Sequence, residues 1–363
     1  MKKTYLLCLL LIGAVAFTPE AHAQKKKKKK KGETEQPAES GKSSKKKESK
    51  IKDYAEVITE EAESDQGLFT THQVGDKYYF EIPDSVLERE ILVVSRISGT
   101  VENFNFGGAG MKSRPQQVVR WQKHGDKLLL RSVSYNSVAS EELPIYKSVR
   151  NNNFEPIVMA FDIAAFNADS TGTVVDVSKL FTTDVEMIGA MSPSQRKQFG
   201  IRRLDKSRSM IMRMKSFPLN TEVRHVLTYE GTKLPANRLT NTLSMEMNQS
   251  FVMLPKEPMQ PRLFDQRVGF FSVSQYDYGM DEQRAARRQF ITRWRLEPKD
   301  PEAFARGELV EPKKPIVYCV DPGTPEKWHP YLKKGIEDWQ VAFEAAGFKN
   351  AIIAKDPPSK EED

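Results

Sequence analysis

Five histidines, His22, His72, His124, His225 and His329, are the first residues to test for chemistry. Hydrolytic zinc chemistry needs three protein ligands, an open coordination position and a general base beside the bound water. On one helix, His-Glu-x-x-His supplies two ligands and the base. No two of these histidines lie within a helical turn, and the motif does not occur. His72 and His225 fall in expected strands, His124 in a turn, and His329 before Pro330 at a helix start. Each is read as structural or surface. Nucleophilic arrangements fare no better. No serine stands in Gly-x-Ser-x-Gly, and the Ser-x-x-Lys at Ser43–Lys46 lies in a lysine tract that cannot hold a site in place. The glycine-rich stretch from Asn105 to Gly110 lacks the Gly-Lys-Ser/Thr ending of a phosphate cradle and is read as a loop. The acidic pairs Glu141–Glu142 and Asp281–Glu282 read as surface turns. Among these residues the sequence assigns no catalytic, cofactor-binding or metal-ligating position.

The elements that would position any site come next. Lys2 and Lys3, the apolar run Tyr5–Phe17 and Ala21-His-Ala23 have the three parts of a secretory signal, so residues 1–23 are expected to be cleaved before Gln24. The apolar run is too short to span a bilayer, and no transmembrane segment is expected after cleavage. Export to the periplasm, the cell surface or beyond follows. The exported chain would keep Cys319 alone of its two cysteines, which excludes an internal disulfide. Cys319 itself reads as a buried, inert thiol in a central strand. Residues 24–52 carry net +9 with almost no apolar side chain and are expected to be disordered. The remainder is near −3, so the basic pI of about 9.1 belongs to the tail. Lys25–Lys31 could tether the chain to an anionic envelope surface or act as a solvated spacer. Without interleaved aromatics or arginines, the tract does not read as a nucleic-acid site.

Residues 53–103 are expected to form a small α+β domain, with a helix within Ile51–Ala62 and a hairpin turning at Gly75–Asp76. Residues 104–297 are expected to be β-rich. They hold a second hairpin at Gly125–Asp126, strands at 157–163, 172–177, 223–229, 243–253, 268–273 and 290–296, and a short helix at Ser178–Phe181. The methionines between Met187 and Met259 read as gap-fillers in sheet cores. Residues 298–314 read as a linker.

Residues 315–363 change the grammar. Ile316–Val320 is an apolar run suited to a strand buried on both faces. Thr324-Pro325 is a helix start. Leu332, Ile336, Trp339, Phe343 and Ala346 form one helical stripe, Gly347 fits a C-cap, and Ala351–Ala354 is a second strand. Strand, helix and strand at this spacing predict a right-handed βαβ unit. Such a pair needs more sheet to be stable, so the sequence is expected to open a domain whose remainder lies beyond it.

Several segments carry a family resemblance. Ile316-Val-Tyr-Cys-Val-Asp-Pro322, Gly335-Ile-Glu-Asp-Trp339 and Ala342-Phe-Glu-Ala-Ala-Gly-Phe348 resemble the start of the catalytic domain in large bacterial zinc-dependent metalloproteases of the metzincin type. These carry two N-terminal domains of unknown function. Leu254–Arg262, Asp265–Phe271 and Ile291–Glu297 resemble segments just ahead of that protease domain, and Ile82–Leu87 resembles the first N-terminal domain. The resemblance implies an α+β protein: mainly antiparallel β domains, then the first βαβ unit of an α/β zincin-like domain. It implies zinc and a protein or peptide substrate for the whole protein. It implies no zinc and no activity for this chain alone, because the family's ligands lie past these residues. Asp265 or Arg262 could then reach the catalytic cleft, although plain interdomain packing is the favoured reading of both. The alternative is a non-enzymatic β-rich protein that binds the cell envelope.

Overall fold

The computed structural model describes residues 51–104, 110–235, 240–357 and 359. The signal segment, the lysine tract and most of the glycine-rich stretch lie outside them. Thirteen strands precede residue 254: β1 (Glu63–Asp65), β2 (Thr70–Val74), β3 (Lys77–Pro83), β4 (Glu90–Gly99), β5 (Gln117–His124), β6 (Lys127–Val133), β7 (Ser137–Val138), β8 (Ile157–Phe166), β9 (Gly172–Asp176), β10 (Ile201–Leu204), β11 (Met210–Phe217), β12 (Asn220–Gly231) and β13 (Thr242–Met253). All but β7 join one 12-stranded sheet in the order β1-β2-β3-β9-β8-β6-β5-β4-β13-β12-β10, with β11 on β12. Its pairings are antiparallel throughout. The two expected hairpins form, with Val74 opposite Lys77 and His124 opposite Lys127. Gly75 turns the first with φ +57°, a conformation that favours glycine. Strand β4 lies between β5 and β13, so residues on both sides of position 103 build one sheet.

The sheet curls until its ends nearly meet. The Leu68 amide donates to the Phe217 carbonyl at 2.7 Å, and the Ser216 hydroxyl donates to the Phe69 carbonyl at 2.6 Å. The Ser216 amide donates to Asp65 Oδ2 at 2.8 Å. Gly67 permits this approach: a Cβ there would stand 2.5 Å from the Phe217 backbone nitrogen. Inside lies an aromatic core of Phe69, Phe80, Trp121, Phe181 and Phe251, each fully buried. Phe251 stands 6.0 Å from Phe69, 5.9 Å from Phe80 and 6.2 Å from Phe181 between ring centroids, with steep interplanar angles suited to edge-to-face contact.

The period-two pattern of the long strands explains the interior. Thr221, Val223, His225, Leu227 and Tyr229 alternate inward on β12, and Leu243, Met245, Met247, Gln249 and Phe251 on β13. Met191, Met245 and Met247 are fully buried, while Met210 and Met212 face water. Two polar side chains, His225 and Gln249, interrupt the apolar rows. They hold the short helix over Ser178–Thr182 and the chain after it, and that helix closes on the aromatic core through Leu180 and Phe181. His225 Nδ1 donates to the Phe181 carbonyl at 2.7 Å, so Nε2 is the acceptor for Gln249 Nε2 at 3.0 Å. Gln249 Nε2 also donates to the Ile188 carbonyl at 3.0 Å. Arg114 Nε donates to the Glu186 carbonyl at 2.9 Å and Nη2 donates to that of Met191, while Gln117 reaches the Met187 carbonyl at 3.0 Å.

Four more strands follow: β14 (Ser272–Asp277), β15 (Ala286–Ile291), β16 (Ile316–Cys319) and β17 (Ile352–Lys355). Strands β15, β14 and β7 form a small separate sheet. The expected strands at 268–273 and 290–296 therefore shift. Residues 266–268 form a turn and bend, with the Val268 amide bonded back to the Asp265 carbonyl, residues 269–271 are irregular, and residues 292–297 leave the ladder after Ile291. The stretch read as a linker carries a short helix over Pro301–Ala305, capped by Asp300. Its Ala303 and Val310 pack with Phe348 and Ala351, so it belongs to the C-terminal unit.

Strands β16 and β17 pair in parallel with Ile316 opposite Ile352. The expected single helix between them is a 3-10 turn at Glu326–Trp328, then helices at His329–Glu337 and Gln340–Ala345. Thr324 does not cap it; its amide donates to the Asp321 carbonyl in the preceding turn. The break falls at Asp338 and Trp339, where ψ of −22° and −12° tightens the backbone and the Trp339 amide bonds the Ile336 carbonyl. Burial also departs from expectation. Ile316 is buried, but Val317 is 45% exposed, Tyr318 44% and Trp339 65%. Cys319 is exposed, not a core thiol. Val317 and Tyr318 point to opposite faces of the strand, so each face of β16 carries an exposed side chain.

Phe251→Ala should cost about 3–5 kcal/mol in urea unfolding, the range for an aromatic removed from a packed core. His225 makes a pH prediction. Burial pushes its imidazole down to about 4, against roughly 6.5 in an unfolded chain. The folded state thus resists a proton that the unfolded state accepts. The stability linked to His225 is complete above pH 6.5 and is lost as pH falls toward 4, about 3 kcal/mol in all. Between pH 7 and 4 the wild type should lose about that much more stability than His225→Gln; parallel profiles would refute the assignment.

Candidate functional site

The side chains that could do chemistry gather outside the barrel. On β3, Phe80 and Ile82 enter the aromatic core, so Tyr79 and Glu81 face the other way. A short helix over Tyr54–Val57 covers that face, packing Val57 with Tyr79, Ala165 and Val174. Beneath it His72 is 3% exposed. Its Nε2 stands 3.2 Å from Glu81 Oε2, and its Nδ1 stands 2.7 Å from Ser64 Oγ. Tyr54 donates to Glu81 Oε2 at 2.9 Å, and Asn167 Nδ2 donates to Oε1 at 3.1 Å. The His72 hydrogen bond, helped by Tyr54 and Asn167 against partial burial, holds the Glu81 carboxyl below its usual range. Burial, then the Glu81 hydrogen bond, pushes the Tyr54 phenol up to about 12.

An ionised Glu81 fixes the proton on His72 Nε2. Nδ1 is then left as the acceptor for the Ser64 hydroxyl. The result is a hydroxyl, an imidazole and a carboxylate in series. The elements that build it are local. The turn at Gly75–Asp76 brings His72 and Glu81 onto one face of the hairpin, and β1 sets Ser64 opposite His72.

A second feature is a groove beside the C-terminal unit. Trp294, Tyr318, Ile336, Trp339 and Phe343 line one part of it. Trp294 also lines the adjoining part with Arg295, Glu297, Lys313 and Val317. Trp294 meets Tyr318 edge-on at 6.2 Å. The part at Tyr318, Trp339 and Phe343 is mostly aromatic and suits packing against another apolar surface, while the adjoining part is rimmed by Arg295, Glu297, Lys313 and Lys314.

The remaining residues singled out from the sequence are scattered. His124 is exposed at the end of β5, and His225 sits in the barrel interior. His329 begins its helix, with Nε2 3.0 Å from the Thr324 carbonyl and Nδ1 3.5 Å from Asp356. Asp265 is exposed and paired with Arg267 at 2.6 Å, which holds its carboxyl below the usual range. The Arg262 carbonyl accepts from the Ile291 amide at 3.0 Å. Among the described residues no three His, Cys, Asp or Glu side chains converge as a metal site. No helix among the described residues is long and apolar enough to cross a membrane.

Comparison with known families separates the chain into two matched stretches. Residues 51–100 match the family described as Domain of unknown function (DUF5118). Residues 110–299 match Domain of unknown function (DUF5117). These agree with the two N-terminal domains of unknown function expected from the resemblance. No curated protein and no solved structure matches the chain. Because residues 110–299 are more than half of the 363, the chain belongs to the DUF5117 family.

Proposed function

We propose that the chain is the N-terminal portion of an exported zinc-dependent metallopeptidase, with the barrel presenting an α/β unit to the rest of a catalytic domain. In this reading residues 315–363 open a zincin-like domain, and peptide hydrolysis needs zinc ligands from elsewhere in the protein. The observation that carries the reading is the exposure of side chains on both faces of β16 and of Trp339 between the helices. Parallel strands are normally covered on both faces. Here Val317, Tyr318, Cys319 and Trp339 face water around a groove that begins at Trp294. Segments on both sides of that groove, Ile291–Glu297 and Ile316–Pro322, resemble zinc-dependent metalloproteases. Within this proposal the barrel is a positioning module, and the secretory signal accounts for an exported compartment.

The test compares this chain with the natural polypeptide isolated from producing cells. A maleimide should label Cys319 in the chain of residues 1–363 without denaturant, and Cys319 should be protected in the natural polypeptide. The natural polypeptide should also carry about one zinc and cleave an unstructured protein in a chelator-sensitive way. Equal labelling of Cys319 in both, with neither zinc nor peptidase activity, would overturn the reading and favour a non-enzymatic envelope-binding protein.

A further inference from the structure

We propose that Ser64 is a surface nucleophile, activated by His72 and oriented through Glu81, able to take an acyl or phosphonyl group from an activated donor. The warrant is geometric. An activated nucleophile is recognised by a hydroxyl within hydrogen-bond reach of a base, which a third group orients in turn. Ser64 Oγ is 2.7 Å from His72 Nδ1, and Glu81 Oε2 is 3.2 Å from Nε2 on the opposite side of the ring. The carboxylate is itself held by Tyr54 and Asn167, so its position does not depend on the histidine alone.

Burial separates the roles. His72 is 3% exposed and locked, packed edge-on against Tyr54 at 6.3 Å between ring centroids. Ser64 is exposed on an outer strand of the sheet. A structural histidine would need one satisfied partner on each nitrogen, and a buried backbone carbonyl serves that purpose, as at His225. At His72 the partner on Nδ1 is instead the hydroxyl of Ser64, a residue exposed on an outer strand.

The step balances without a metal or redox partner. The Ser64 hydroxyl oxygen attacks the electrophilic carbon or phosphorus while its proton passes to His72 Nδ1. The bond from that centre to the leaving group breaks, and the leaving group departs with the electron pair. The imidazolium, hydrogen-bonded to Glu81, then returns the proton to the leaving group or to water. Relative to the better-known Ser-His-Asp arrangement the two ring nitrogens exchange duties, which the chemistry permits because either can be the base. The donor class is a small activated ester or thioester, since the hydroxyl stands on an open strand rather than in a cleft.

The experiment uses a fluorophosphonate probe on the intact chain, because the lysine-rich segment would consume an acylating reagent. The Ser64 oxygen should displace fluoride, and peptide mass spectrometry should find the adduct on Ser64. Labelling should vanish in Ser64→Ala and fall about 10²-fold in His72→Gln, the usual contribution of a general base. Glu81→Gln should slow labelling less, because the imidazole stays in place. Circular dichroism and unfolding curves on each variant separate a lost base from a lost fold. Ser64→Ala is exposed and should unfold as the wild type does. No adduct on Ser64 in the wild type, or an equal rate in a folded His72→Gln, would overturn the proposal.

Discussion

The fold depends on closure of the sheet where residues 65–69 meet residues 216–221. An open antiparallel sheet of this width would leave two edges of unpaired backbone groups. Here the edges are joined by the Leu68–Phe217 backbone bond and by Ser216 bonded to Phe69. The Ser216 and Thr221 hydroxyls, 2.8 Å apart, continue the seam inside. Gly67 sets how close the two chains come, since any side chain there would strike the Phe217 backbone. Closure encloses the aromatic core and leaves Phe69, beside the seam, in contact with Phe80, Trp121 and Phe251.

Closing a barrel around aromatic side chains creates a second demand. The chain from Phe181 to Met191 runs against the interior without forming a ladder, so its carbonyls need partners. The strands supply them as side chains: His225 for Phe181, Gln249 for Ile188, Arg114 for Glu186 and Met191, and Gln117 for Met187. This accounts for polar residues in rows that are otherwise apolar. It also accounts for a buried neutral imidazole and for an Arg114 guanidinium whose pKa burial pulls down. The arrangement is incomplete at one atom, because Gln249 Oε1 is buried without a partner.

How much of this was legible follows from which signals are local. Hairpins at Gly75–Asp76 and Gly125–Asp126 read directly, because turn residues and alternation lie within a few positions. The inward rows of β12 and β13 read for the same reason. The seam did not, because Gly67 looks like any loop glycine until Phe217 is beside it. Strand β1 has no apolar alternation at all, so Ser64 could not be set opposite His72. The short strands and breaks near 268–297 and at Asp338–Trp339 failed because pattern fixes an apolar stripe and leaves open where the backbone tightens. Cys319 is exposed for a related reason: an apolar run is buried only where something covers it.

That last point separates the two surfaces on which function turns. The groove at Trp294, Tyr318 and Trp339 is apolar and exposed, so covering it gains free energy with almost no geometric demand; burial of one such side chain is worth roughly 1.5–3 kcal/mol. Within the proposed function it is a surface for assembly. The Ser64, His72 and Glu81 array is polar and already hydrogen-bonded on both ring nitrogens. Covering it would add little, but removing His72 would take away the largest cause that holds the Glu81 carboxyl below its usual range. The two surfaces also rest on different parts of the protein. The array sits on the closed sheet under the Tyr54–Val57 helix, and the groove sits on a unit whose small core is Ala303, Val310, Phe348 and Ala351. A rigid barrel can therefore hold the array unchanged while the C-terminal unit takes on whatever packs against it.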